Sequence, residues 1–236
     1  MNASIKSATQ VAAAGFAKVL VHPAGSFGLL LDAAQREFSQ ITQEKIWVLA
    51  KLLKEDGVLP GVRETVPGIN NLLVVFEPTN FFPIDATEHL LSLWANLEVE
   101  QRTGLDIEIP VTYGGEYGED LAELAGEAGL QIADYVKLHS SATYSVACIG
   151  AYPGFAFMTG LPPQLAKPRR KTPRLKVSEG AVIIGGQQAG VLPCTAPSGW
   201  HLLGTTDVKV FDATNPTPCL FAAGDRVHFR IRSIEK

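Results

Sequence analysis

The sequence predicts two domains, a small α+β domain followed by a β-barrel or sandwich with short helices. Its 236 residues exceed the commonest single-domain size. Helical periodicity is confined to the part of the chain before His139. Beyond it, apolar residues fall into short runs separated by glycine and proline, the pattern of strands and shaped loops. The change of character at Thr103-Gly104 divides the chain into residues 1–104 and 105–236.

In the first domain, strands are expected over 16–22 and 27–31, around the turn formers Pro23, Gly25 and Ser26. From Thr42 the period lengthens. Ile46, Leu49, Leu52 and Leu53 recur at helical steps, Glu44 and Lys51 suit the two ends of the helix dipole, and Gly57 stops the helix. Strands over 62–66 and 72–76 flank Pro67-Gly68-Ile69-Asn70-Asn71, a turn-rich loop that suits an antiparallel pair. Asp85, with Glu88 three residues on, predicts the capped start of a second helix whose buried stripe is Leu90, Trp94 and Leu97.

The second domain opens with a strand over 105–113, broken by Gly114-Gly115, and continues with helices over 120–128 and 132–139. Strands are then expected over 144–149, 181–185, 191–195, 200–204, 208–211 and 227–231.

Composition excludes several classes. Nothing approaches the roughly 20 consecutive apolar residues of a membrane span, so no membrane association is expected. The apolar run at 11–21 is interrupted by Lys18 and is not followed by a small-residue cleavage site, so no export signal is expected. Cys148, Cys194 and Cys219 are too few and too widely spaced for a disulfide framework or a zinc site; a cytoplasmic setting and no metal are expected. The net charge is −4, and against it Lys167, Arg169, Arg170, Lys171, Arg174 and Lys176 form a local reversal of sign. Pro168 and Pro173 hold that ribbon extended. It suits a small anionic ligand or an acidic partner surface better than nucleic acid.

The candidate site residues lie in and around this ribbon. Arg169 and Arg174 can each grip a carboxylate, carbamate or phosphate through a bidentate fork, or else grip acidic residues of their own domain. Gln187, between Gly185-Gly186 and Gly190, offers an amide that can donate to and accept from a lactam or ureido group, or serve as a turn residue. Tyr152 and Phe155 flank Pro153-Gly154, and Trp200 follows Pro197-Ser198-Gly199; these aromatics wall a pocket or pack a core. His139 at a helix end is the candidate general base, with helix-dipole complementation as the plainer reading. Glu116 and Asp120 read as caps or turn residues rather than catalysts. Phe155, Phe157, Met158, Leu161, Leu192 and Trp200 predict an apolar patch that a partner covers. The chain lacks GxxxxGK[ST], GxSxG and HExxH, so no self-contained P-loop, serine triad or zinc hydrolase site is visible, and no organic cofactor is indicated.

In chain order, Pro60-Gly61-Val62-Arg63-Glu64, Val66-Pro67-Gly68, Ile109-Pro110-Val111, Tyr113-Gly114-Gly115-Glu116-Tyr117-Gly118, Asp120-Leu121 and Pro153-Gly154-Phe155 form one series of motifs. It continues with Gly160-Leu161-Pro162, Pro168-Arg169-Arg170, Thr172-Pro173-Arg174, Gly186-Gln187-Gln188-Ala189-Gly190 and Gly199-Trp200. The series resembles the family of 5-oxoprolinase B subunits, also called allophanate hydrolase subunit 1 or KipI-type histidine-kinase inhibitors, with carboxyltransferase-like subdomains C and D. The resemblance runs from His22 to Arg232.

It implies an α+β N-terminal domain, expected as a ferredoxin-like sandwich, followed by a cyclophilin-like β-barrel. It also implies a companion C subunit (KipA-like, or allophanate hydrolase subunit 2), whose barrel pairs with this one, and in 5-oxoprolinase a third, A-type component. The implied function is that of a non-autonomous subunit of an ATP-dependent amide hydrolase that opens 5-oxoproline to glutamate. ATP would be bound by the complex, and this chain would supply part of a shared ligand cavity. The alternatives within the resemblance are a subunit of an allophanate hydrolase or urea-carboxylase-type carboxyltransferase, and a non-enzymatic inhibitor of a sensor histidine kinase. Departures from the family pattern fall in the ligand loops. Gly25-Ser26-Phe27-Gly28 lacks the usual acid, Ala156 replaces the usual Pro, Thr159-Gly160 the usual Gly-Gly, and Pro197-Ser198-Gly199-Trp200 the usual Pro-Gly-Gly-Trp.

Overall fold

Leu72, Val74 and Phe76 are buried while Asn71, Leu73 and Val75 are half-buried, a period of two that puts one face of a strand on a core. The computed structural model describes residues 19–34, 38–99 and 104–235. Most of the apolar run at 11–21 lies outside these. The chain divides into two compact units, residues 1–102 and 103–236.

The first unit runs β1 (Leu20–Pro23), β2 (Gly28–Asp32), α1 (Gln40–Leu52), β3 (Val62–Pro67), β4 (Asn71–Phe76) and α2 (Pro83–Asn96). The strands form one antiparallel sheet in the order β1-β2-β4-β3. Leu29 and Leu31 of β2 join Leu72, Val74 and Phe76 of β4 on its inner face, against Ile46 and Leu49 of α1 and Leu90 and Trp94 of α2. Among the described residues the order is therefore ββαββα, which differs from the βαββαβ order of a ferredoxin-like sandwich.

Both helix starts differ in detail from the expectation. Ser39 caps α1, its side chain accepting from the Thr42 amide. In α2, Pro83 takes the first helical position, where its missing N–H costs nothing, so Asp85 lies in the first turn instead of at the cap.

The second unit runs β5 (Asp106–Gly114), α3 (Leu121–Glu127), α4 (Ile132–Ser141), β6 (Tyr144–Ile149), β7 (Ala156–Thr159), β8 (Arg174–Val177), β9 (Ala181–Gly185), β10 (Gln188–Val191), β11 (Ala196–Ser198), β12 (His201–Thr205) and β13 (Arg226–Glu235). Seven strands close a barrel in the order β10-β7-β6-β13-β5-β12-β9, sealed by the β9–β10 hairpin. β8 and β11 form a separate two-stranded sheet. The barrel interior holds Ile109, Val111, Tyr113, Tyr144, Val146, Ile184 and Phe229, with Tyr135 and Val136 of α4 packed into the same core.

The strand expected over 208–211 is absent. Phe211 makes only an isolated bridge to Cys219, because Asp212 and Asn215 turn the backbone through hydrogen bonds to Thr214 and Thr217. The strand expected over 191–195 lies earlier, over 188–191, because Gly186-Gln187 makes a two-residue hairpin turn. Gly186 has φ 63° at the first central position, where a type II′ turn needs glycine. Among the described residues, no helix is long and apolar enough to cross a membrane.

Candidate functional site

Asp120 is where the expectation and the structure part most clearly. It immediately precedes α3, yet its side chain does not cap that helix. Its carboxylate turns inward, 4% exposed, and collects the basic ribbon. Arg174 forks onto it through Nη2 to Oδ1 (2.8 Å) and Nη1 to Oδ2 (3.0 Å), and Arg170 donates to Oδ1 (3.0 Å). The Leu202 amide of β12 donates to Oδ2 at 2.8 Å. Burial alone would raise the Asp120 carboxyl, but the hydrogen bonds from Arg174 and Leu202 and the two guanidinium charges hold it below the usual carboxylate range. Arg174 thus grips acids of its own domain, including Glu119 at 3.1 Å, and does not line the aromatic cleft described next.

The ribbon is fastened to the start of β12 through its backbone as well. The Arg170 amide donates to Gly199 O (2.7 Å), and His201 Nε2 donates to Pro168 O (2.9 Å). Between these two anchors stands Arg169. Its guanidinium lies 5.3 Å from the centroid of the Trp200 ring, a cation–π approach. Lys167 pairs with Glu127, and Arg170 and Arg174 pair with Asp120, but among the described residues no carboxylate pairs with Arg169.

Arg169 and Trp200 belong to a cleft of about 270 Å³, with Ala151, Tyr152, Phe155, Phe157, Arg170, Pro173, Ile183, Leu192, Pro197, Ser198 and Gly199 as its other walls. Phe155, Phe157 and Trp200 meet edge to face at centroid distances of 4.9, 5.6 and 5.9 Å. The glycines of the β9–β10 hairpin seat these rings. A Cβ on Gly185 would stand 2.7 Å from the indole, and one on Gly190 would stand 3.1 Å from the Phe155 ring. The rim is strained. Ala151 has φ 65°, and the Tyr152 amide donates to Gly150 O at 2.8 Å, a γ-turn of the rare positive-φ kind.

Four residues singled out from the sequence, Tyr152, Phe155, Arg169 and Trp200, therefore meet in one cleft. Three expectations are corrected. Arg174 is occupied by Asp120. Gln187 is exposed at the tip of the β9–β10 turn and does not line the cleft. His139 is fully buried against Tyr113, Tyr144 and Phe229, with Nδ1 2.8 Å from the Tyr113 hydroxyl, and burial pushes it down to about 3. Sealed in the barrel core and uncharged, it is not placed to take a proton from a ligand. The apolar patch expected for a partner is also mostly absent, since Phe155, Met158, Leu161, Leu192 and Trp200 are each buried by the chain itself.

Asp120 and His201 were not among the expected site residues. The available signal was the ribbon itself: six cations in ten residues need counter-charges nearby, and Glu119-Asp120 is an acidic pair ahead of a helix.

Over residues 19–221 the chain matches the family described as carboxyltransferase domain, subdomain C and D. It belongs to that family. This carboxyltransferase-family chain is 43% identical to the 5-oxoprolinase B subunit of Escherichia coli O157:H7 over 188 residues, 80% of this chain and 85% of that protein. It is 40% identical to the 5-oxoprolinase B subunit of Haemophilus influenzae over 196 residues, 82% of this chain and 89% of that protein. The crystal structure of TTHA0988 superposes with a TM-score of 0.74 at 34% identity, covering 87% of this chain and 39% of that one. This chain thus spans well under half of that solved protein. The urea carboxylase of Kluyveromyces lactis shares the fold, with a TM-score of 0.77 at 17% identity over 94% of this chain and 23% of that one.

Proposed function

We propose that the chain is the B-type subunit of a 5-oxoprolinase, acting with companion subunits in the ATP-dependent opening of 5-oxoproline to glutamate. The observation that carries this reading is the 43% identity to a 5-oxoprolinase B subunit over four-fifths of the chain. The cleft supports it as a part-site. Its aromatic walls exclude water from a small ligand, and Arg169 offers a guanidinium fork for a carboxylate, but its lining residues include no His, Asp, Glu, Lys or Cys to move a proton. The missing groups would come from the companion C subunit, and ATP would be bound by the complex. A urea-carboxylase-type role has the carboxyltransferase family match behind it and a shared fold at 17% identity.

The test is reconstitution. The chain is purified and mixed with C-type and A-type subunits, and glutamate formation from 5-oxoproline is followed with and without ATP. Turnover only when this chain, its companions and ATP are all present supports the reading. Full activity of the companions without this chain would overturn it.

A further inference from the structure

The basic ribbon carries more positive charge than its own domain answers. Three of its six cations meet three carboxylates: Lys167 pairs with Glu127, while Arg170 and Arg174 share Asp120 and Glu119. Arg169 belongs to the aromatic cleft. Lys171 and Lys176 are left, both exposed, and among the described residues no carboxylate pairs with either. Between them stands Leu175, 89% exposed, the most exposed large apolar side chain among the described residues.

Leu175 and Lys176 lie in β8, a strand with one open edge. β8 pairs with β11 alone, and among the described residues no strand runs along its other side. A groove of about 260 Å³ follows that open side, lined by Arg174, Lys176 and Val177 of β8 and by Glu116 and Tyr117, with no residue of β11 in its walls. Its floor is apolar, because Val177, Ala181 and Leu202 belong to the buried cluster around Trp200. The Glu116 carboxylate bonds to the Tyr117 hydroxyl and keeps negative charge on the wall away from β8. A strand added to β8 would therefore find main-chain partners along the edge, a counter-charge at Lys176 and an apolar neighbour at Leu175 on the opposite face. Lysines on an edge also repel a second copy of the same edge, so they select an acidic partner over self-association.

We propose that the open edge of β8 docks an extended segment of the companion C subunit in which acidic and apolar residues alternate. Lys171 and Lys176 meet its acids, and Leu175 anchors its apolar side. The partner's identity rests on the proposed function. The place of the edge supports it: the same ribbon walls the aromatic cleft through Arg169, Arg170 and Pro173, so a companion seated on β8 stands beside the cleft it is to complete.

The experiment is biolayer interferometry of the full-length chain against the purified C-type subunit over a range of salt, with hydrogen exchange of the chain alone and in the complex. Wild type is expected to bind, more weakly as salt rises. The double variant Lys171→Glu/Lys176→Glu should bind at least about tenfold more weakly and lose most of the salt dependence of its on-rate. Leu175→Asp should weaken binding by about tenfold or more, chiefly through the off-rate. All three side chains are exposed, so thermal melts of the free chain should not move. Peptides covering residues 174–177 should gain protection in the complex. Absence of a complex, binding within about twofold of wild type for both variants, or unchanged exchange at 174–177 would each overturn the proposal. So would binding of the A-type subunit at this edge in place of the C-type one, or a dimer of this chain that Leu175→Asp abolishes. A complex that turns over 5-oxoproline with β8 unprotected would sink this inference and spare the proposed function. Assembly that depends on β8 but yields no turnover would do the reverse.

Discussion

Gly185 lies against the indole of Trp200: a Cβ at that position would stand 2.7 Å from Cδ2 and 2.9 Å from Cγ. Neither partner has room to retreat. Gly185 ends a barrel strand paired to β10, and Trp200 is buried in one cluster with Phe155, Ile183, Leu192 and Leu202, with Phe157 packed against it. Gly185→Ala is therefore expected to destabilise the barrel by roughly 1–3 kcal/mol, the usual cost of overpacking, and to displace Trp200 from the cleft. Thermal melts and near-ultraviolet circular dichroism check it; unchanged melting and an unchanged aromatic spectrum would show that the ring does not rest on that backbone.

Arg174 is expected to matter for stability rather than for ligand binding. Arg174→Lys keeps the charge but loses the fork onto Asp120, which should cost roughly 1.5–3 kcal/mol in denaturant melts. Because Arg174 does not line the aromatic cleft, KM of the reconstituted complex should stay within about twofold of wild type. A large rise in KM with unchanged stability would return Arg174 to the ligand. Acid should expose the same knot. The Asp120 carboxyl is held below its ordinary value in the fold, so its contribution is present above the unfolded value, about pH 4, and is lost as pH falls through the lower folded value. Asp120→Asn should remove that part of the acid transition.

His139 gives a pH dependence of its own. Burial keeps its ring neutral, whereas in the unfolded chain it takes up a proton below about pH 6.5. Stability is thus expected to fall as pH drops from 6.5, by about 2 kcal/mol at pH 5. His139→Gln keeps an acceptor for the Tyr113 hydroxyl but cannot titrate, and should flatten that slope between pH 7.5 and 5. An identical slope in the variant would mean that the ring is already protonated or reachable by water.

Most strands and the four described helices were legible because their apolar periods are local. Leu72, Val74 and Phe76 announce a strand, and Leu90 and Trp94 a helix, without reference to the rest of the chain. β7 and β8 were not legible, since Ala156–Thr159 and Arg174–Val177 lie among prolines and cations that read as loop, and only their distant partners make them strands. The glycines around Gln187 were visible as a motif, but their use as seats for Trp200 and Phe155 depends on residues brought together only by the barrel. Arg169 and Arg174 were equivalent in sequence. Asp120, far earlier in the chain, separates them by taking the second and leaving the first free.

The most direct test is steady-state kinetics of the reconstituted complex carrying Arg169→Ala or Arg169→Lys, with thermal melts alongside. If Arg169 holds a substrate carboxylate over Trp200, kcat/KM should fall about ten- to a hundredfold for the alanine variant. Lysine should fail nearly as badly because it lacks the fork. Melting should move by no more than the loss of an exposed cation–π contact, about 0.5–1 kcal/mol, since Arg169 is exposed and among the described residues no carboxylate pairs with it. Activity within about twofold of wild type for both variants would contradict a ligand role for this cleft.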